Sequence, residues 1–331
     1  MLQFLRKIAF PFSLIYALVV FIRNRMFDVG LFKSKSFETP TICIGNLSVG
    51  GTGKTPMIEY LIRLLENRRI AVLSRGYKRK SKGFQLANPD SSVEDLGDEP
   101  FQLYRKFQDI VIAVDTDRQN GIQKLEANIN PEVILLDDAF QHRRVQPNFS
   151  ILLTAYHNLF VNDWYLPTGD LRDSKSEAKR ADVIIVTKCP SGILQEEKDK
   201  IVSSIKPKPH QEVLFSTLTY AESLSNSIDQ MALNTLKGTH FALVTGIASP
   251  QHLVSHLKNQ GLKFDHFEFG DHHYFSDEEI QKFANFQLVL TTEKDYVRLD
   301  GRVENLYYLE VAHSFDARDH EVLKKIVLAQ I

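Results

Sequence analysis

The sequence predicts an α/β protein with a mostly parallel sheet, a second, smaller α/β domain and an N-terminal membrane-associated helix. Three observations carry that expectation. Short runs that are apolar throughout alternate with stretches of helical period, the pattern of strands covered on both faces by helices. One such run leads into a glycine-rich turn and a helix start, TICIGNLSVGGTGKTP at residues 41–56. A fifteen-residue stretch without charge, from Ile8 to Ile22, is bracketed by Arg6, Lys7, Arg23 and Arg25.

Composition narrows the class. At 331 residues the chain has room for one large domain or two ordinary ones, and its 43% hydrophobic content supplies a core without disulfides or metal clips. A net charge of −1 argues against a broad electrostatic footprint for nucleic acid, so no nucleic-acid partner is expected. Cys43 and Cys189 lie far apart, in or just after apolar runs, with no CxxC or metal spacing; they read as reduced, buried thiols of a cytosolic compartment. The N-terminal run, assigned to residues 1–25, falls short of the roughly 18–20 apolar residues of a spanning helix. Pro11 sits near its start, and FIRNRMFDVG follows it in place of a small-residue cleavage site. Basic residues at both ends suit a helix lying in, or dipping into, an anionic bilayer surface; a buried core helix is the alternative.

Strands are expected over 41–45, 70–74, 110–114, 133–137, 149–154, 183–187 and 213–218. Between them helices are expected over 57–67, with Ile58, Leu61, Ile62 and Leu65 on one face, over 118–128 and over 193–205. The stretch KPKPH at 206–210 reads as a break, giving a first domain over 26–210 and a smaller one over 211–331. In the latter, FALVTGIA, a helix over 252–259, FDHFEFG, a helix from Asp277, LVLTTEKD and LYYLEV form a second α/β unit.

The glycine-rich turn is a phosphate-binding loop. Glycines let backbone N–H groups close around phosphate oxygens, and the helix N-terminus adds a favourable dipole. Ser48, Val49, Gly50, Gly51, Thr52, Gly53, Lys54 and Thr55 are therefore assigned to ATP. Lys54 supplies a point charge for the β and γ phosphates, and the Thr55 hydroxyl is a ligand for Mg²⁺. The strict pattern has glycine where this chain has Ser48. Asp137 and Asp138 end the apolar run VILLDD and supply the acids that hold the magnesium, directly or through water. Guanine-specific switches read their base with [NT]-K-x-D; the corresponding Thr187-Lys188-Cys189 is followed by Pro190, which leaves ATP as the nucleotide. The turn is also similar to that of membrane-bound partitioning ATPases, but their extra lysine before the double glycine is Val49 here. A membrane-tethered ATPase switch stands as the alternative to a kinase.

Further motifs run over nearly the whole chain: Ser74-Arg-Gly-Tyr77, Gly97-Asp-Glu-Pro100, Leu136-Asp-Asp-Ala-Phe-Gln-His142, Pro167-Thr-Gly-Asp-Leu-Arg172, Arg180-Ala-Asp182, Asp271-His-His273 and Thr292-Glu-Lys-Asp295. With the loop and the basic-flanked helix, they make the chain resemble the tetraacyldisaccharide 4′-kinase family of the lipid A pathway. The resemblance implies transfer of the ATP γ-phosphate to the 4′-hydroxyl of a tetra-acylated glucosamine disaccharide 1-phosphate, giving lipid IVA. It also implies an active site between two α/β domains, at the cytoplasmic face of the inner membrane of a Gram-negative bacterium. This chain has Ala139 where the family usually has glycine, and Asp173 where it commonly has glutamate.

On the acceptor side the resemblance implies Asp98, in a loop, as the catalytic base and His272, from the second domain, as its partner, the pair forming when the domains approach. An imidazole beside an aspartate shares a proton with a pKa near working pH. Asn46, Arg75, Gln141, His142 and Arg172 are candidates for contacts with substrate or phosphate. Lys294 and Asp295 match a family motif without a physical assignment.

Overall fold

The computed structural model describes residue 6 and residues 8–331, so the helix expected over 1–25 lies outside the described residues at 1–5 and 7. The strands used below are β1 (Thr41–Asn46), β2 (Ile70–Ser74), β3 (Val111–Val114), β4 (Val133–Asp137), β5 (Phe149–Ala155), β6 (Val183–Thr187), β7 (Glu212–Ser225), β8 (His240–Thr245), β9 (Lys263–Glu268), β10 (Val289–Thr292) and β11 (Leu306–Phe315). The helices used below are α1 (Phe10–Asp28), α2 (Lys54–Leu64), α3 (Asp98–Lys106), α4 (Arg118–Asn128), α5 (Gln195–Ile205), α6 (Gln251–Asn259), α7 (Asp277–Ala284), α8 (Glu293–Leu299) and α9 (Ala317–Leu328).

These elements divide into two compact units. The first holds the chain up to Arg75, Asp109–Leu218 and His313–Ile331; the second holds Gly76–Gln108 and Thr219–Ala312. The expected boundaries, 26–210 and 211–331, are corrected at two places. The segment after β2 leaves the first unit because α3 packs on α8. The C-terminal helix returns to the first unit, where the Asp319 carboxylate accepts the Phe215 N–H at 2.9 Å and His320 Nδ1 meets the Tyr60 hydroxyl at 2.5 Å.

In the first unit the strand order is β7–β6–β5–β1–β4–β2–β3, and each neighbouring pair is parallel. Every residue of β1, β2, β4 and β6 is buried, which is why these strands read as unbroken apolar runs. Cys43 and Cys189 are free and buried; burial pushes both thiols up to about 12. In the second unit β9–β8–β10–β11 are likewise parallel. Successive β8 residues feed two cores, Phe241 and Leu243 one, Ala242 and Val244 the other, as the two-residue period of a strand requires.

Helix α1 is long and apolar enough to cross a membrane by length and composition, and only 17% of its most apolar window is buried. Its docked stripe is Ser13, Val20 and Asn24, with Tyr16 and Phe27 half-buried. Polar contacts fasten it to the rest of the first unit: Arg6, ahead of the helix, to the Gly169 carbonyl (2.7 Å), Ser13 to Thr168 (2.8 Å), Tyr16 OH to the Arg172 carbonyl (3.0 Å), and Asn24 Nδ2 to Asp173 Oδ1 (2.7 Å). Arg143 closes the far end on Asp28 at 2.7 Å. The outer face stays exposed, with Phe12, Ile15, Val19 and Ile22 at helical spacing.

Candidate active site

The phosphate loop begins where β1 ends, at the carboxyl end of a central strand, where open α/β sheets bind ligands. Gly50 (φ +106°) and Gly53 (φ +85°) take backbone conformations that side chains rarely adopt. A Cβ on Gly53 would also lie 2.8 Å from His313 Nε2. That nitrogen meets the Gly53 carbonyl at 2.9 Å, while His313 Nδ1 lies 3.0 Å from Ser216 Oγ. Thr187 Oγ1 donates to the Thr52 carbonyl at 2.8 Å, and Asn46 Nδ2 to Thr52 Oγ1 at 2.9 Å. Ser48, the departure from the strict motif, has no left-handed φ; its hydroxyl donates to Asp163 Oδ2 at 2.9 Å. A side chain is tolerated there because it is directed away into a built partner. The Val49 N–H is bonded to the Asp170 carbonyl at 2.7 Å. Lys54 and Thr55 open α2, whose N-terminus has no side-chain cap, which leaves its first N–H groups for an anion.

The acids follow from sheet register. Pairing of Ile44 with Asp137 sets the end of β4 beside the start of the loop. Asp137 Oδ2 accepts the Ser74 hydroxyl at 2.8 Å, and the Asp137 carbonyl accepts from Arg118 at 3.3 Å. Asp138 has φ +45° and turns the other way. Arg172 grips both its oxygens, Nη1 to Oδ2 at 2.9 Å, and Lys54 Nζ lies 3.7 Å from Oδ1. Burial pushes the Asp138 carboxyl up, but Lys54, Arg172 and Arg118 outweigh it and hold it well below the usual carboxylate range. Arg172 also bonds Asn46 Oδ1, and Gln141 Nε2 donates to the Asn46 carbonyl at 2.7 Å. The structure thus joins Asn46, Lys54, Asp138, Gln141 and Arg172 in one network. His142 lies outside it; burial, then Arg118, lowers its pKa to about 4. Arg75 is exposed, its charge felt by Arg118 and His142.

The second unit holds the other candidates. Asp98 is the first residue of α3, following Gly97 at φ +87°, and so is not in a loop. His272 has φ +58°, an uncommon conformation outside glycine, held by its N–H bond to the Gly246 carbonyl at 3.1 Å. Its Nδ1 stands 2.6 Å from Asp98 Oδ2. The expectation that this pair forms when two domains approach is corrected: Asp98 and His272 belong to the same unit and are already in contact. Burial raises the Asp98 pKa, but the His272 hydrogen bond and Arg298, 3.7 Å away, bring it below its ordinary value. Lys294 Nζ reaches His272 Nε2 at 2.9 Å. Asp295 is buried under the loop, accepting the Gly246 N–H at 2.8 Å and the Thr292 hydroxyl at 2.7 Å.

Sequence reasoning missed His313, which lies 260 positions from Gly53 and has no motif around it. It also missed Asp163 and Arg298; only their contacts in space give them a part.

A parallel sheet whose central strand ends in a glycine turn, with a lysine at the helix start and acids on the adjacent strand, defines a P-loop nucleotide-binding protein. The profile of the tetraacyldisaccharide-1-P 4′-kinase family, LpxK, matches residues 5–331, and the chain belongs to that family. It is 50% identical over 321 residues to the tetraacyldisaccharide 4′-kinase of Flavobacterium johnsoniae, covering 95% of this chain and 94% of the relative. It is 48% identical over 335 residues to that of Flavobacterium psychrophilum, covering 98% and 97%. The crystal structure of LpxK from Aquifex aeolicus in complex with ATP matches with a TM-score of 0.81 at 32% identity, covering 98% of this chain and 99% of that one.

Proposed function

We propose that this chain transfers the γ-phosphate of ATP to the 4′-hydroxyl of a tetraacyldisaccharide 1-phosphate, a step of lipid A biosynthesis. The observation that carries the reading is the glycine turn with Lys54 facing Asp138, in a chain aligned over its length with the kinase family.

Backbone N–H groups of the loop and the α2 N-terminus hold the phosphates of ATP, and Lys54 balances their charge. Thr55, Asp137 and Asp138 offer the hard oxygens that suit Mg²⁺. Among the described residues no group of three or more His, Cys, Asp or Glu could hold a metal, and a magnesium that keeps waters and leans on phosphates needs none. When bound, the ion neutralises charge on the transferred group. Arg172 and Asn46 keep Asp138 oriented toward Lys54, and Arg75, Gln141 and His142 are assigned to substrate or phosphate contacts. Asp98, held ionised, takes the proton of the acceptor hydroxyl as its oxygen bonds to the γ-phosphorus; the bond to the β-phosphate oxygen breaks and ADP leaves.

Helix α1 is assigned to the cytoplasmic face of the inner membrane, lying in the surface rather than spanning it. A spanning helix would forfeit the bonds of Arg6, Ser13, Tyr16 and Asn24, whereas an in-plane helix keeps them and buries Phe12, Ile15, Val19 and Ile22 in lipid. No nucleic-acid partner is assigned. The test is incubation of radiolabelled ATP with the disaccharide 1-phosphate in mixed micelles. Label at the 4′ position supports the reading, and release of free phosphate alone overturns it.

A further inference from the structure

The phosphate loop is held from behind by side chains that take no part in the transfer. His313 lies buried near the end of β11. Its Nε2 is 2.9 Å from the Gly53 carbonyl oxygen, which can only accept, so this nitrogen carries the ring proton. Nδ1 then offers its lone pair to the Ser216 hydroxyl, 3.0 Å away. Burial lowers the ring's pKa to about 4 against the pull of the Gly53 bond, and the charge of Lys188, just beyond β6, lowers it further, so the ring is neutral. The Gly53 oxygen has two lone pairs. One accepts the helical Met57 N–H at 3.1 Å, and the other accepts His313. One residue back, the Thr187 hydroxyl donates to the Thr52 carbonyl at 2.8 Å. His313, Ser216, Thr187 and the loop all belong to the first unit.

We propose that His313 is a positioning residue for ATP: as the Nε2-protonated tautomer it pins the Gly53 carbonyl behind the loop and so presents the Lys54 N–H to the phosphates. The inference rests on the reading of the loop as the ATP site. A trans peptide is planar, and its N–H points opposite to its C=O. Carbonyls of Thr52 and Gly53 held at the back therefore turn the N–H groups of Gly53 and Lys54 the other way. Glycine, here at φ +85°, sets little steric barrier against other orientations of its peptide. At this position the partners of the carbonyl, rather than a side chain, decide which way the peptide faces. A carbonyl turned toward the phosphates would set oxygen against oxygen, and the His313 bond opposes that turn before the nucleotide arrives.

Two amide variants of the full-length protein give the test. Glutamine places its NH₂ near the Nε2 position of histidine and can still donate to Gly53; asparagine places it near Nδ1 and falls short. Calorimetry should show the dissociation constant for ATP raised about 2- to 10-fold in His313→Asn, the scale of one lost hydrogen bond. In His313→Gln it should return to within about twofold of wild type, and KM for the lipid acceptor should be unchanged in both. Lost ring packing or a lost Ser216 contact would lower stability in both variants and leave the ATP affinity of the folded protein where it was. Equal ATP affinities in the two variants overturn the proposal. So does a wild-type ring protonated at Nδ1 in ¹⁵N-histidine spectra, with the His313 signals assigned by their loss in His313→Gln. Lys54→Ala separates this inference from the reading beneath it. If that variant weakens ATP binding and His313→Asn does not, the His313 assignment alone falls; if neither does, the loop is not the ATP site and both fall.

Discussion

Asp98→Asn separates the proposed base from the rest of the site. The substitution keeps an oxygen able to accept from His272 Nδ1, 2.6 Å away, and removes only the capacity to take a proton. General-base catalysis contributes about 10² to 10⁴, so kcat should fall by that factor, equivalent to about 3–5 kcal/mol. His272→Ala removes one buried, charge-assisted hydrogen bond, about 1.5–3 kcal/mol, which translates into about 10- to 150-fold. The double variant should resemble the aspartate variant alone, because residues that act as one unit are not additive. Affinity for ATP should change less than twofold (about 0.4 kcal/mol), since Gly50–Thr55 belong to the other unit. The wild-type carboxyl is held below its ordinary pKa. It therefore contributes stability that is present above about pH 4 and lost as pH falls through the folded value; the variant lacks this acid-side loss. Steady-state kinetics with the lipid acceptor over pH, together with calorimetry for ATP, read all of these quantities. Fully multiplicative losses would refute the coupled pair, and a large loss of ATP affinity in Asp98→Asn would move that residue to the nucleotide or metal site.

Lys54→Ala and Thr55→Ala should each lose far more than tenfold in kcat, because phosphate and metal contacts strengthen in the transition state; retention of a tenth of the wild-type rate in either would sink the loop assignment. Replacing Phe12, Ile15 and Val19 by serine should lower partitioning onto anionic vesicles with an unchanged unfolding curve, whereas a core helix would show the reverse. His313 is buried and its pKa is lowered to about 4. Its contribution should be complete above about pH 6.5 and lost as pH falls toward 4, on the order of 3 kcal/mol at most. Denaturant titrations at pH 7 and pH 5 should show that slope in wild type and its absence in His313→Gln.

The first sheet was legible because its strands are buried on both faces, so β1, β2, β4 and β6 declare themselves without tertiary knowledge. Helix α4 fell on its expected residues, 118–128, because Asp117 caps it through the N–H groups of Gln119 and Asn120. The division of the chain was not legible. Strands β2 and β3 are neighbours, and a local reading has no means of telling that the segment between them belongs elsewhere, since the partner of α3 is α8, nearly two hundred positions on. The same limit hid His313 behind the phosphate loop and Lys294 behind His272. His313 reaches Gly53 across 260 positions and Lys294 reaches His272 across 22, contacts that leave no period or spacing in the sequence.

Residues 172 and 173 show why a substitution that looks conservative in sequence needs its surroundings. A shorter acid at 173 reads as a weakened version of the family's glutamate. In the structure Asp173 is fully buried, and its Oδ1 takes Asn24 Nδ2 of α1 at 2.7 Å and the Ser174 N–H at 2.8 Å. A glutamate placed there would need room for another methylene in a site with no exposure. The preceding residue, Arg172, turns to the opposite side and grips Asp138 and Asn46. Its carbonyl is in turn held by Tyr16 of α1 at 3.0 Å, and the Gln141 carbonyl by Arg23. Two adjacent residues therefore tie the exposed apolar helix to the acid that faces the phosphate lysine. The backbone of the phosphate site is thus set partly by the element assigned to the membrane surface, and deleting that element would take from the buried Asp173 carboxylate its Asn24 hydrogen bond, leaving the Ser174 N–H, as well as removing an anchor.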